Sequence, residues 1–113
     1  MSEITESASP TIDLIKEQIA EHSVLLYMKG SPQFPQCGFS ARAVEILTQY
    51  GKPFAFVNIL EHPEIRSELP KYAQWPTFPQ LWIKGELVGG SDIIMEMAQA
   101  GELEPMVQAA AQD

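Results

Sequence analysis

Val24–Met28 is the longest unbroken apolar run in the chain, and its brevity is what constrains the fold. A membrane span needs about 18 such residues. Five in succession, bounded by a loop with two prolines and a glycine, read as a strand buried on both faces. The sheet that contains it must therefore be covered on both sides. A chain of 113 residues, 45% apolar and 19% charged, is globular and has room for one such domain with one sizeable core. The only cysteine is Cys37, so no intramolecular disulfide can staple that core.

The flanking segments supply the order of elements. Residues 1–9 read as a flexible tail and 10–113 as one domain. Ser9-Pro10 looks like an N-cap followed by proline at the first helical position. Ile12, Ile15 and Ile19 then carry a helix to about Glu21. Lys29–Gln36 is a loop. Phe39, Ala43, Ile46, Leu47 and Tyr50 lie near one face of a second helix, which Gly51 stops. Phe54–Ile59 is a second strand. His62-Pro63 opens a helix carrying Ile65 and Leu69, which Pro70 is expected to disturb or end. Trp75-Pro76-Thr77-Phe78-Pro79 is a rigid connector. Gln80–Ile83 and Glu86–Val88 flank a Lys84-Gly85 hairpin turn. Ile94, Met97, Ala98 and Gly101, then Leu103, Met106, Val107 and Ala110, give two last helices, with Pro105 tolerated near a first turn. A strand–helix–strand unit followed by a hairpin predicts an α/β fold. It has one mixed four-stranded sheet, helices on both faces and a right-handed first crossover.

Charge excludes several classes of function. Seven basic residues against fifteen acidic ones leave a net charge of -8, and no Lys/Arg stripe runs through the chain. That balance argues against binding nucleic acid and against docking on an anionic membrane. Met1-Ser2-Glu3 begins neither a hydrophobic signal core nor an Arg-rich transit peptide, so the expected location is the cytoplasm. One cysteine cannot close an all-cysteine zinc or iron–sulfur site, which usually needs four ligands. His22 and His62 are isolated at helix boundaries and read as capping or surface residues. The carboxylates are spread over helix faces and form no catalytic pair.

Cys37 is where chemistry concentrates. It follows a strand and loop and starts a helix, where unpaired backbone N–H groups and the positive end of the helix dipole favour thiolate. Its pKa should fall below the free value of about 8.5, and Lys29 at the strand end could add a positive charge. A small buried apolar cysteine is the bland alternative. Cys37-Gly38-Phe39-Ser40 has the spacing of a C-x-x-C redox motif, but Ser40 cannot resolve a mixed disulfide. Any thiol exchange at this position must use an external thiol.

Lys29, Cys37-Gly38-Phe39-Ser40, Trp75-Pro76-Thr77-Phe78-Pro79-Gln80 and Gly89-Gly90-Ser91-Asp92, in this order, resemble the monothiol glutaredoxins of the CGFS class, and in particular their single-domain bacterial members. The likeness spans about Thr11 to Val107. It implies a thioredoxin-like fold, glutathione bound beside Cys37, and a [2Fe–2S] cluster shared by two subunits. The cluster takes four thiolates. Two chains would supply two, through Cys37, and two glutathione molecules the others, which makes dimerisation a consequence of cofactor binding.

The resemblance also assigns roles in the pocket. Lys29 would approach Cys37 and the glycyl carboxylate of glutathione. Arg66 would hold the same carboxylate with its guanidinium fork. Read without the motif, Arg66 is simply a helix-surface neighbour of Glu64 and Glu68. Phe78 would precede a cis-proline and offer its backbone to the cysteinyl part of glutathione, as an added strand would. Trp75 reads as a core or rim aromatic. The helix start at Ser91-Asp92 would take the γ-glutamyl end, with Asp92 also meeting the ammonium. An ordinary Ser/Asp helix cap is compatible with that role. Many relatives carry cysteine where this chain has Ser91, so a regulatory disulfide to Cys37 cannot form here.

Two functions follow from the resemblance. One is a carrier that stores a [2Fe–2S] cluster in a homodimer and passes it to acceptor apoproteins, with BolA-like proteins as alternative partners. The other is a glutathione-dependent thiol–disulfide oxidoreductase, in which Cys37 attacks a glutathionylated protein and free glutathione resolves the adduct. The resemblance implies that such activity is weak.

Overall fold

The structure is a computed structural model that describes residues 9–111. Of the expected tail over residues 1–9, only Ser9 lies within the described residues. The elements are α1 (Pro10–Glu21), β1 (Val24–Met28), α2 (Gly38–Gln49), β2 (Ala55–Asn58) and α3 (Pro63–Ala73), then β3 (Gln80–Ile83), β4 (Glu86–Gly89), α4 (Ser91–Gln99) and α5 (Leu103–Ala111). The sheet order is β2-β1-β3-β4. β1 pairs parallel with β2 and antiparallel with β3, so Leu26 lies between Phe56 and Leu81. This is the mixed four-stranded sheet of a thioredoxin-like fold.

All five residues of β1 are buried, and the strand's period of two divides them between two cores. Leu25 and Tyr27 pack with Ile15 and Ile19 of α1 and Ile65 and Leu69 of α3. Val24, Leu26 and Met28 pack with Ala43, Val44 and Leu47 of α2, Ile94 of α4, and Leu103, Val107 and Ala110 of α5. Burying each of these large side chains contributes about 1.5–3 kcal/mol, which is how the chain dispenses with disulfides. The buried Tyr27 hydroxyl donates to Gln18 Oε1 at 2.8 Å, and burial raises its pKa.

Local signals act as expected at most boundaries. Ser9 Oγ accepts from the Ile12 N–H at 3.1 Å and donates to Glu68 Oε1 at 2.8 Å, so one residue caps α1 and ties it to α3. Lys84 and Gly85 have φ of 53° and 81°, the positive pair that a two-residue hairpin turn requires. Three readings need correction. Pro70 does not end α3, which continues to Ala73. The proline removes one backbone bond, to the carbonyl of exposed Arg66. Buried Ile65 and Leu69 hold the helix, and a left-handed Gln74 closes it, with the N–H groups of Gln74 and Trp75 both donating to the Pro70 carbonyl. Phe39 is not on the core face of α2; it lies 64% exposed, and Ser40 takes the buried position in that turn. β2 is shorter than Phe54–Ile59, although Ile59 is fully buried just beyond it. Among the described residues no helix is long and apolar enough to cross a membrane.

Candidate functional site

β1 ends at Met28, and the chain must turn back to start α2 beside it. Gly30 makes the turn at φ 94°, where a Cβ would sit 2.4 Å from the Phe34 carbonyl oxygen. Four contacts then lock the loop. The Gln36 N–H donates to the Lys29 carbonyl at 2.9 Å. Ser31 and Phe34 exchange backbone bonds of 3.3 and 3.0 Å. Two of these bonds, Gln36 to Lys29 and Ser31 to Phe34, make an isolated Gly30–Pro35 bridge. The Gly30 N–H donates to Asn58 Oδ1, at the end of β2, at 2.9 Å. The loop thus delivers Cys37 as the N-cap of α2 with no side-chain cap bond of its own, which leaves its sulfur beside the first-turn N–H groups.

The surroundings of that sulfur set its charge. Burial pushes the Cys37 thiol up, but the backbone N–H groups of Ser40 and Phe39, the Lys29 ammonium and the Ser40 hydroxyl together outweigh it, and the pKa lies below the ordinary thiol value. Ser40 is fully buried, and its hydroxyl accepts from the Lys29 backbone N–H at 3.1 Å. It therefore links the end of β1 to the first turn of α2 while serving the sulfur. Sequence reasoning saw in Ser40 only a missing second cysteine. Its position three residues after the cap was the signal that it could bond locally.

Lys29, Cys37, Arg66, Phe78, Ser91 and Asp92, the six residues singled out by sequence, line one cleft of about 520 Å³. Lys29 comes from the end of β1, Arg66 from α3, Phe78 from the connector and Ser91-Asp92 from the first turn of α4. Among the described residues no carboxylate lies within ion-pair distance of Lys29 or Arg66. Two of the seven cations of an acidic chain thus face the cleft free for an anionic ligand. At the α4 end the N-cap is Gly90, not Ser91, and no side chain caps the helix. The Ser91 hydroxyl is buried without a partner. The first-turn N–H groups of α4 are thus left for a ligand's carboxylate.

The connector adds residues to which sequence reasoning assigns no ligand role, Trp75 reading there only as a core or rim aromatic. Trp75 and Thr77 line the cleft, and Trp75 Nε1 is buried with no acceptor. Its neighbour is Gly90, where a Cβ would stand 3.2 Å from that nitrogen. Phe78–Pro79 is cis, as expected. Behind them Gln80 is fully buried; its amide donates to the carbonyls of Trp75 at 3.0 Å and Thr77 at 3.3 Å and accepts from Trp82 Nε1 at 3.2 Å. A polar residue heading a buried apolar strand was the available signal. Among the described residues no group of three or more His, Cys, Asp and Glu side chains could hold a metal ion. His22 and His62 flank α1 and α3 as cap residues and lie outside the cleft.

The arrangement offers a thiol of lowered pKa, two cations, unpaired backbone donors at a helix start, and an exposed apolar side chain, Phe39, 64% accessible. A small peptide with a carboxylate at each end and a thiol between them suits this set of groups.

Comparisons with known proteins point the same way. The family profile described as Glutaredoxin matches residues 24–88. A protein named Glutaredoxin 4 from Haemophilus ducreyi is 65% identical over 98 residues, covering 87% of this chain and 92% of the relative. One of the same name from Escherichia coli is 62% identical over 100 residues, covering 88% and 87%. Among solved structures, reduced poplar apo GrxS14 aligns with a TM-score of 0.76 at 45% identity, over 90% of this chain and 94% of that one. The holo form of glutaredoxin C1 from Populus tremula x tremuloides aligns with a TM-score of 0.81 at 28% identity, over 91% and 100%.

Proposed function

The chain belongs to the glutaredoxin family, and from that premise we propose that it binds glutathione in the Cys37 cleft and, as a homodimer, carries a [2Fe–2S] cluster to acceptor apoproteins. Glutathione would lie with its glycyl carboxylate at Lys29 and Arg66 and its cysteinyl backbone along Phe78. Its γ-glutamyl carboxylate would meet the first-turn N–H groups of α4, with Asp92 at the ammonium. The observation that carries the reading is the convergence of these groups, from five separate stretches of chain, on one cleft beside the free thiol of Cys37.

The donor set fits the cargo only in pairs. One chain offers one thiolate, and its described residues hold no further metal-ligating cluster. Four thiolates therefore require two chains and two glutathione thiols. Within each chain, Ser40 and the α2 N–H groups lower the Cys37 pKa, Lys29 and Arg66 would orient the tripeptide, and exposed Phe39 would form the rim over which a second copy or a BolA-like partner would approach. Ligands held half by exchangeable small thiols suit a carrier, which has to release what it holds.

The lowered Cys37 pKa favours a second activity at the same site, glutathione-dependent reduction of protein mixed disulfides. The thiolate would attack the glutathione sulfur, releasing the protein thiol, and a free glutathione thiolate would then attack the same sulfur, releasing the Cys37 thiolate and glutathione disulfide. Anaerobic reconstitution with iron and sulfide, with and without glutathione, tests the carrier reading. Visible absorption that needs glutathione and is lost in Cys37→Ser supports it. A colourless protein with fast deglutathionylation would replace it with the oxidoreductase.

A further inference from the structure

We infer that Gln80 is the positioning residue of the cleft: its buried amide fixes the Trp75–Phe78 connector so that the Phe78 N–H faces the ligand. The inference deepens the glutathione reading above and rests on it.

The argument is geometric. Gln80 is fully buried, and three of its amide's hydrogen-bonding positions are filled, two by connector carbonyls and one by the Trp82 indole N–H. A buried amide with satisfied partners fixes what it touches, because any other connector conformation would strand polar groups away from water. Its bond to the Thr77 carbonyl at 3.3 Å has a particular consequence. The Thr77–Phe78 peptide is trans, the cis bond being the following one. In a trans peptide the carbonyl and the next N–H point in opposite directions. Holding the Thr77 carbonyl inward on Gln80 therefore turns the Phe78 N–H outward, toward the cleft that Phe78 lines. Among the described residues that N–H has no acceptor within the protein. Gln80 itself does not line the cleft, so its influence on a ligand runs through the connector alone.

The test compares Gln80→Met, which keeps the volume and removes every amide bond, with Trp82→Phe, which of Gln80's bonds removes only that from Trp82, while also trimming a buried ring, and leaves both connector bonds. Glutathione is titrated calorimetrically, and the Phe78 amide is followed by NMR. With one backbone hydrogen bond misdirected, Gln80→Met should bind glutathione about tenfold more weakly, and its Phe78 amide should lose the shift it shows on binding. Trp82→Phe should bind as the wild type does. Alkylation of Cys37 by iodoacetamide should be unchanged in both, since the sulfur is held by α2. Should Gln80→Met fail to fold, Gln80→Glu keeps the acceptor for Trp82 but offers the two connector carbonyls at most one O–H, and none when ionised, so glutathione binding should weaken there too. Binding by Gln80→Met within twofold of wild type, or an equal loss in Trp82→Phe, overturns the inference while the glutathione reading stands. If the wild type itself does not bind glutathione, that reading fails and the inference fails with it.

Discussion

Gly30→Ala is the change whose cost the structure specifies best, because Gly51→Ala supplies its control. Both glycines have positive φ, 94° and 71°. An L-residue there costs roughly 1–2 kcal/mol from backbone sterics alone. A Cβ on Gly51 meets nothing within 4 Å, so that substitution should cost about this much and no more. A Cβ on Gly30 would lie 2.4 Å from the Phe34 carbonyl oxygen and 2.7 Å from the Gln36 nitrogen, both backbone atoms of a loop held by its own hydrogen bonds. Relieving that overlap moves the loop and adds about 1–3 kcal/mol, as overpacking does elsewhere. Gly30→Ala should therefore lose roughly 2–5 kcal/mol in total, and the difference between the two variants isolates the clash. Urea unfolding with an unchanged m-value measures both. Because the same loop delivers Lys29 and Cys37, Gly30→Ala should also slow alkylation of Cys37 at neutral pH, whereas Gly51→Ala should not. Losses equal within 0.5 kcal/mol, about the resolution of such comparisons, would refute the claim that the loop is sterically locked at Gly30.

Further outcomes follow from the same contacts. Alkylation of Cys37 should rise with pH through a midpoint below that of the thiol in the unfolded chain, and Ser40→Ala and Lys29→Gln should each move that midpoint up. A folded-state thiol pKa below the unfolded one contributes stability that is complete above the unfolded value and lost as pH falls through the folded one. Urea midpoints measured across that window, with Cys37→Ser as reference, should show the loss. Ser9→Ala, which removes both the α1 cap and the bond to Glu68, should cost about 1 kcal/mol in the same unfolding assay. Arg66→Ala should weaken glutathione binding by about three- to tenfold in calorimetry, a modest effect because the guanidinium is exposed and screened.

What the sequence made legible was whatever rests on period and punctuation. Val24–Met28 announced a strand covered on both sides, and the two cores on either side of it are the result. Ser9-Pro10, His62-Pro63 and Lys84-Gly85 marked their boundaries through backbone chemistry that is local. Pro70 misled because its rule is also local, while the burial of Ile65 and Leu69 that overrides it is tertiary. Phe39 misled for the opposite reason. Its helical spacing fits the core face, but in the first turn of α2 that direction is taken by Ser40. Motif residues located the cleft, since each carries a charge, a sulfur, a helix start or, at Phe78, the backbone before a proline. The roles of Gln80 and Ser40 went unread because they act by holding other groups in place, and a one-dimensional pattern does not show which carbonyl a buried amide will meet.

The central claim is that one thiolate per chain becomes a complete ligand set only when a second chain and two tripeptides join it. Native mass spectrometry of the reconstituted, coloured protein measures this directly. The account predicts a species of two chains, two glutathione molecules and one [2Fe–2S] unit, which Cys37→Ser does not form. A coloured species containing a single chain, or two chains without glutathione, would contradict it.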